Sequence, residues 1–218
     1  MKLAIFDMDG VLAETEPVYE RMYREIYRRF GLELPQAERE YFIGRSSKHI
    51  WSFVKEKYAL TESVDELIRM KELVYEEMLR AEPLEPIEGV VELLDFLKAD
   101  GWTLAIASSS KRSVIDYIIG KIGIADLFSF ISSGDAVTRG KPDPEIFLKA
   151  AAHFGASPSE CVVIEDAASG VQGAKAAGMT VFAFRNPNSG AQDLSAADAV
   201  FTDYREVPAL FMSMKPHI

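Results

Sequence analysis

The chain has 218 residues, with 24 Lys plus Arg against 34 Asp plus Glu, for a formal net charge of −10. Hydrophobic residues make up 48% and charged residues 27%, the proportions of a folded globular chain, which excludes a disordered or fibrous one. The acidic balance argues against non-specific binding to nucleic acid or to an anionic membrane surface, and at first sight against a phosphorylated ligand.

In chain order, Leu3 to Phe6 is a short apolar run that stops at Asp7, and its length predicts a buried strand. These four residues are too few for the apolar region of a signal peptide, and no apolar run approaches the roughly 20 residues that span a bilayer. The single cysteine, Cys161, excludes an intramolecular disulfide, so a reducing, cytoplasmic setting is expected. Met22, Ile26 and Phe30 then recur at i, i+4 and i+8 among Arg and Glu, with Pro17 near the first turn and Gly31 past the end, which predicts an amphipathic helix over 16–30. Further helical patterns cover about 36–42, 47–58 and 62–81, so residues 14–85 read as an all-helical block with a net charge of −4. Glu82-Pro83-Leu84-Glu85-Pro86 breaks the pattern as a linker would.

Beyond it the texture changes. A helix over Gly89–Lys98 is closed by Gly101, and a strand over Thr103–Ala107 runs into Ser108-Ser109-Ser110. Lys111–Lys121 is helical, Phe130-Ile131 a short strand, Pro144–Phe154 helical, and Cys161–Ile164 an apolar strand that ends at Glu165-Asp166. A small-residue helix over Ala167–Ala177 and a strand over Thr180–Phe184 follow. Alternating strands and helices predict βαβ units: an α/β fold with a Rossmann-like parallel sheet from 1–13 and 86–218, and an all-helical insert over 14–85.

Ligands of such sheets bind at the carboxyl ends of the strands. The polar groups expected there are Asp7-Met8-Asp9-Gly10, Ser108-Ser109-Ser110-Lys111, Gly140-Lys141-Pro142-Asp143-Pro144 and Glu165-Asp166. In a parallel sheet the carboxylates of Asp7, Asp9, Glu165 and Asp166 would crowd at one edge and repel one another unless a cation sat among them. Hard oxygen ligands in this number suit Mg²⁺, which keeps waters and takes substrate phosphate oxygens. His49, His153 and His217 lack zinc-ligand spacing, and Cys161 reads as a small buried hydrophobe. Trp51, Trp102 and the stripe of Tyr19, Tyr23 and Tyr27 read as packing residues.

These motifs, in this order, resemble those of the haloacid dehalogenase superfamily. Asp7-Met8-Asp9-Gly10-Val11 is similar to its DxDG[TV] nucleophile motif, the serine after the second strand to its second motif, and Lys141 in Gly-Lys-Pro-Asp-Pro to its third. Ile164-Glu165-Asp166, followed by Ser169-Gly170 and Ala174-Ala177-Gly178, is similar to the fourth. The match runs over nearly the whole chain, the insert sits where the helical-cap subfamily places its cap, and the subgroup it most resembles is the β-phosphoglucomutase-like phosphatases. The resemblance implies a Mg²⁺-dependent phosphatase acting on a small phosphate ester of the sugar-phosphate kind. Asp7 would be the nucleophile that forms an aspartyl phosphate, and Asp9 the general acid and then base. Lys141 would neutralise the phosphoryl oxygens and Asp7, and Ser108, with Ser109 as the competing position, would bond the phosphate. Mg²⁺ would be held by Asp7, by Asp9 through its backbone carbonyl, and by Asp166, with Glu165 a ligand or a partner through water. The loop from Gly44 to His49 would reach the site from the cap, with Arg45 and Lys48 as substrate contacts, and the cap would close over the site. In β-phosphoglucomutase a histidine stands ten residues after the second motif aspartate; here that position is Tyr19, and Glu14 replaces the aspartate before Thr15, which favours a phosphatase over a phosphosugar mutase. A phosphoacceptor signalling module, the alternative of another class, fits neither the length nor the helical insert. A monomer is expected.

Overall fold

The computed structural model describes residues 2–42, 47–81 and 83–214, the side chains of 39–41 excepted. The chain divides into two compact units, Met1–Glu14 together with Leu84–Ile218, and Thr15–Pro83.

The larger unit is a sheet covered by helices. Among the described residues its strands are β1 (Leu3–Phe6), β2 (Thr103–Ser108), β3 (Phe130–Ser133), β4 (Cys161–Glu165), β5 (Thr180–Phe184) and β6 (Ala199–Phe201). They lie in the order β3-β2-β1-β4-β5-β6, and every pairing is parallel. The strands are mostly apolar because both faces are covered, with polar residues at the ends of β2 to β5, and the period-2 alternation divides them between two layers. Leu3, Ile5, Ala105, Ala107, Val163, Val181 and Ala183 share one core with Ile146, Phe147 and Ala150 of α7 (Glu145–His153) and Val171 and Ala174 of α8 (Ala168–Ala176). Burying each larger aliphatic side chain of this core contributes about 1.5–3 kcal/mol. α5 (Val90–Ala99) lies against β2, and α6 (Arg112–Lys121) against β3.

Chain order along the sheet reverses at β1. The chain moves outward from β1 through β2 to β3, then crosses back to enter β4 on the other side of β1. Such a switch point opens a crevice at the carboxyl ends of the two strands. The register pairs Phe6 with Ile106 on one side and with Ile164 on the other, which brings Asp7 level with Glu165. The Asp7 amide continues the ladder by donating to the Ile164 carbonyl at 3.0 Å.

The structure adds two elements to the sequence reading, strand β6 and the terminal helix α9 (Val207–Ser213). β6 is three residues long, and α9 carries Pro208 in its first turn, so neither holds a periodic pattern long enough to read.

The smaller unit is helical: α1 (Glu16–Arg29), α2 (Gln36–Phe42), α3 (Ser47–Tyr58) and α4 (Val64–Ala81). Val18, Met22 and Ile26 of α1, Ile50, Trp51 and Val54 of α3, and Leu67, Val74 and Leu79 of α4 are buried. The tyrosine stripe of α1 packs within this unit, Tyr19 stacked on Tyr75 with ring centres 4.1 Å apart and Tyr27 tilted against Trp51 at 5.8 Å. Among the described residues, no helix of either unit is long and apolar enough to cross a membrane.

Candidate active site

The site starts from a turn. After β1 the Met8 carbonyl accepts the amides of Val11, Leu12 and Ala13, so the chain folds back sharply within five residues of Asp7. Gly10 holds this turn at φ +73°, a conformation that favours glycine, and a Cβ there would collide with the Asp166 carboxylate. The bare Cα thus lets the first acidic loop press against the fourth. Tyr204 pins the far side of the turn, its hydroxyl donating to the Val11 carbonyl at 2.7 Å. Burial and the nearby charges of Asp166 and Asp7 hold that hydroxyl protonated, with its pKa well above the ordinary tyrosine range.

Asp7, Glu165 and Asp166 are all buried, and each brings a carboxylate oxygen within 4.8 Å of the others. Lys141 arrives from the loop between β3 and α7, and its ammonium donates to Asp7 Oδ1 at 2.6 Å and to Glu165 Oε1 at 2.5 Å. The second oxygen of Glu165 accepts the backbone amides of Asp166 at 2.9 Å and Ala167 at 3.0 Å. Both oxygens of Glu165 are therefore engaged by the protein, and its geometry is that of a carboxylate that orients Lys141. Asp166 accepts a hydrogen bond from the Ser189 hydroxyl.

Asp9 stands apart from the other three acids. The sequence places four carboxylates together; the structure brings three together, because the turn after Met8 carries the partly buried Asp9 toward the end of β2. There its Oδ2 accepts the Ser110 hydroxyl at 2.9 Å. The serines also separate. Ser108 is fully buried and its hydroxyl accepts the Ser110 amide at 3.1 Å, while Ser109 is exposed. Lys48 is exposed in the first turn of α3, and Arg45 lies outside the described residues.

The sequence places Ser110 at the strand end within its serine run but assigns it no role, and it passes over Asn186 and Ser189. Three consecutive serines give no sign of which one faces an acid. Asn186 and Ser189 lie in Asn-Pro-Asn-Ser-Gly, which reads as an ordinary turn. Their available signal was position, the loop at the carboxyl end of β5, next to β4.

The electrostatics follow from burial. Loss of solvent pushes the Asp7 carboxyl up, to about 8, against the pull of the Lys141 charge and with Glu165 and Asp9 adding to the rise. Burial opposes the Lys141 ammonium as well, but Asp7 and Glu165 outweigh it and hold the group charged. Three buried carboxyl groups thus share one buried ammonium, and the raised Asp7 shows that their negative charge is not fully offset, a deficit of positive charge that a hard divalent cation would fill. The donor set of this chain fits such an ion.

The family model of haloacid dehalogenase-like hydrolases matches residues 4–184. The chain is a haloacid dehalogenase-like hydrolase. Protein CbbY of Rhodobacter capsulatus is 31% identical to it over 207 residues, 91% of each chain. The phosphorylated carbohydrates phosphatase of Thermotoga maritima is 33% identical over 181 residues, 82% of each. Among solved structures, a HAD family hydrolase from Deinococcus radiodurans with bound phosphate and sodium is 29% identical, with a TM-score of 0.76 over 97% of this chain and 95% of that one.

Proposed function

We propose that this hydrolase is a Mg²⁺-dependent phosphatase of small phosphorylated metabolites, sugar phosphates foremost, that works through an aspartyl phosphate on Asp7. The observation that carries the reading is the Asp7 carboxylate, buried at the switch point of the sheet, 2.6 Å from Lys141 and grouped with Glu165 and Asp166. The relatives support the substrate class: one is named for phosphorylated carbohydrates, and another solved relative has phosphate bound.

An Asp7 oxygen attacks phosphorus, the bond from phosphorus to the ester oxygen breaks, and that oxygen leaves with a proton from Asp9. Asp9 then takes a proton from water as the water oxygen attacks phosphorus, which releases inorganic phosphate and restores Asp7. Ser110 holds the Asp9 carboxyl in place for both transfers. Lys141, fixed by Glu165, offsets negative charge at Asp7 and the phosphoryl group. Mg²⁺, held by Asp7, Asp166 and the Asp9 backbone carbonyl, would supply Lewis-acid neutralisation of the phosphoryl oxygens. The helical unit, Thr15–Pro83, is read as the cap that selects the leaving group, with Arg45 and Lys48 as its substrate contacts. The net charge of −10 supports a small-molecule partner over nucleic acid.

The test measures inorganic phosphate released from a panel of sugar phosphates and nucleotides, with and without Mg²⁺. Release that requires Mg²⁺ and vanishes in Asp7→Asn is expected, because Asn keeps the shape of Asp7 but is no nucleophile. An active Asp7→Asn protein refutes the nucleophile assignment, and isomerised product without free phosphate favours a mutase.

A further inference from the structure

We propose that Ser189 is a positioning residue for cation binding: the loop of residues 186–192 presents its hydroxyl to the Asp166 carboxylate and fixes that carboxylate in its cation-holding orientation. The inference rests on the metal reading above and adds a residue that lies outside the four motifs.

The loop is built to hold one hydroxyl still. Asn186 is buried, its Oδ1 accepts the Asn188 amide at 2.8 Å, and its backbone carbonyl accepts the Ser189 amide at 3.3 Å. On the other side of Ser189, the Gln192 side-chain amide donates to the Ser189 carbonyl at 3.0 Å. The Gln192 oxygen in turn accepts the Ala168 amide at 3.0 Å, two residues past Asp166. The loop is also tied to the first acidic turn, for Asn186 Nδ2 donates to the Gly10 carbonyl at 3.0 Å and to Glu14 Oε2 at 3.3 Å. Asn188 Nδ2 reaches the same Glu14 oxygen at 3.0 Å. Ser189 itself is buried, and its hydroxyl donates to Asp166 Oδ2, the oxygen that lies against Gly10. One short loop therefore registers the turn that carries Asp7 and Asp9 against the carboxylate of Asp166.

A hydroxyl that bonds one oxygen of a ligating carboxylate fixes the rotation of that carboxylate, and loss of such an outer partner weakens metal binding about 10–100-fold. The test is calorimetric titration of Mg²⁺ into metal-free wild type and Ser189→Ala, with thermal melting of both metal-free proteins. The expected result is a Kd for Mg²⁺ at least about tenfold weaker in Ser189→Ala, an unchanged metal-free melting temperature, and recovery toward wild type in Ser189→Thr. A wild type that binds Mg²⁺ and an Ala variant that binds it within twofold overturn this inference alone, whether or not the variant melts earlier. A wild type with no Mg²⁺ binding overturns the metal reading and this inference with it.

Discussion

Gly170 shows how little room surrounds the acids. A Cβ at this position would lie inside the Glu165 carboxylate, closer than any real contact, so a side chain there would drive Glu165 away from Lys141. Gly120, the next-to-last residue of α6, would present its Cβ to open space. The two glycines therefore predict opposite outcomes for one substitution. Gly170→Ala is expected to destabilise the protein by about 1–3 kcal/mol through overpacking, and to lower phosphatase kcat by about 100-fold as Lys141 loses its partner. Gly120→Ala is expected to stabilise it by about 0.4–1 kcal/mol with kcat unchanged, since Ala fits this exposed helical position and narrows the freedom of the unfolded chain. Melting curves and phosphate-release rates of both variants decide the matter, and a fully active Gly170→Ala would mean that Glu165 does not orient Lys141.

The element that delivers Lys141 is held by its own clamp. Glu145, the first residue of α7, accepts the Thr138 hydroxyl at 2.6 Å and the amides of Thr138 and Arg139 at 3.1 Å each. The Thr138 hydroxyl and these amides hold its carboxyl down, from 4.5 to about 2. A folded-state pKa below the unfolded one means that the contribution is complete above pH 4.5 and is lost as pH falls toward about 2. Glu145→Gln should therefore lower the hydrogen-exchange protection of the Thr138 and Arg139 amides about tenfold at neutral pH. Acidifying the wild type below pH 4.5 should reproduce the loss, and unchanged protection would dismiss the clamp. Nothing in the sequence marks Glu145, which reads there as an ordinary acid in the first turn of a helix. The pattern is general in this chain. Leu3–Phe6, Cys161–Ile164 and Thr180–Phe184 were legible as strands because burial on both faces demands continuous apolar residues. Asp7, Glu165 and Asp166 stood out because each ends or follows such a strand. Ser110, Asn186 and Ser189 did not, because their importance comes from what they touch across the sheet edge, at separations of 23 to 176 residues that no local period encodes.

At the scale of the molecule, the acidity that first argued against an anionic ligand is partly a consequence of the site. Residues 14–85 carry −4 and the remainder −6, and Asp7, Asp9, Glu165 and Asp166 belong to that remainder. Three of these four are buried beside a single lysine, so folding without a cation either confines like charges where water cannot screen them or keeps a proton on Asp7. An ion that binds the folded chain and not the unfolded one stabilises it by mass action, about 2.7 kcal/mol at a hundred times its Kd. For a chain of this size each kcal/mol moves the melting temperature by about 2–4 °C, so saturating Mg²⁺ should raise it by about 5–10 °C. The rise should saturate with Mg²⁺ concentration, reverse with chelator, and disappear in Asp166→Asn. Sodium chloride at matched ionic strength screens charges everywhere but does not replace an ion held by carboxylates, so it should reproduce little of the shift. An equal shift with sodium chloride would show that Mg²⁺ acts on the acidic surface as a whole and not on the buried acids.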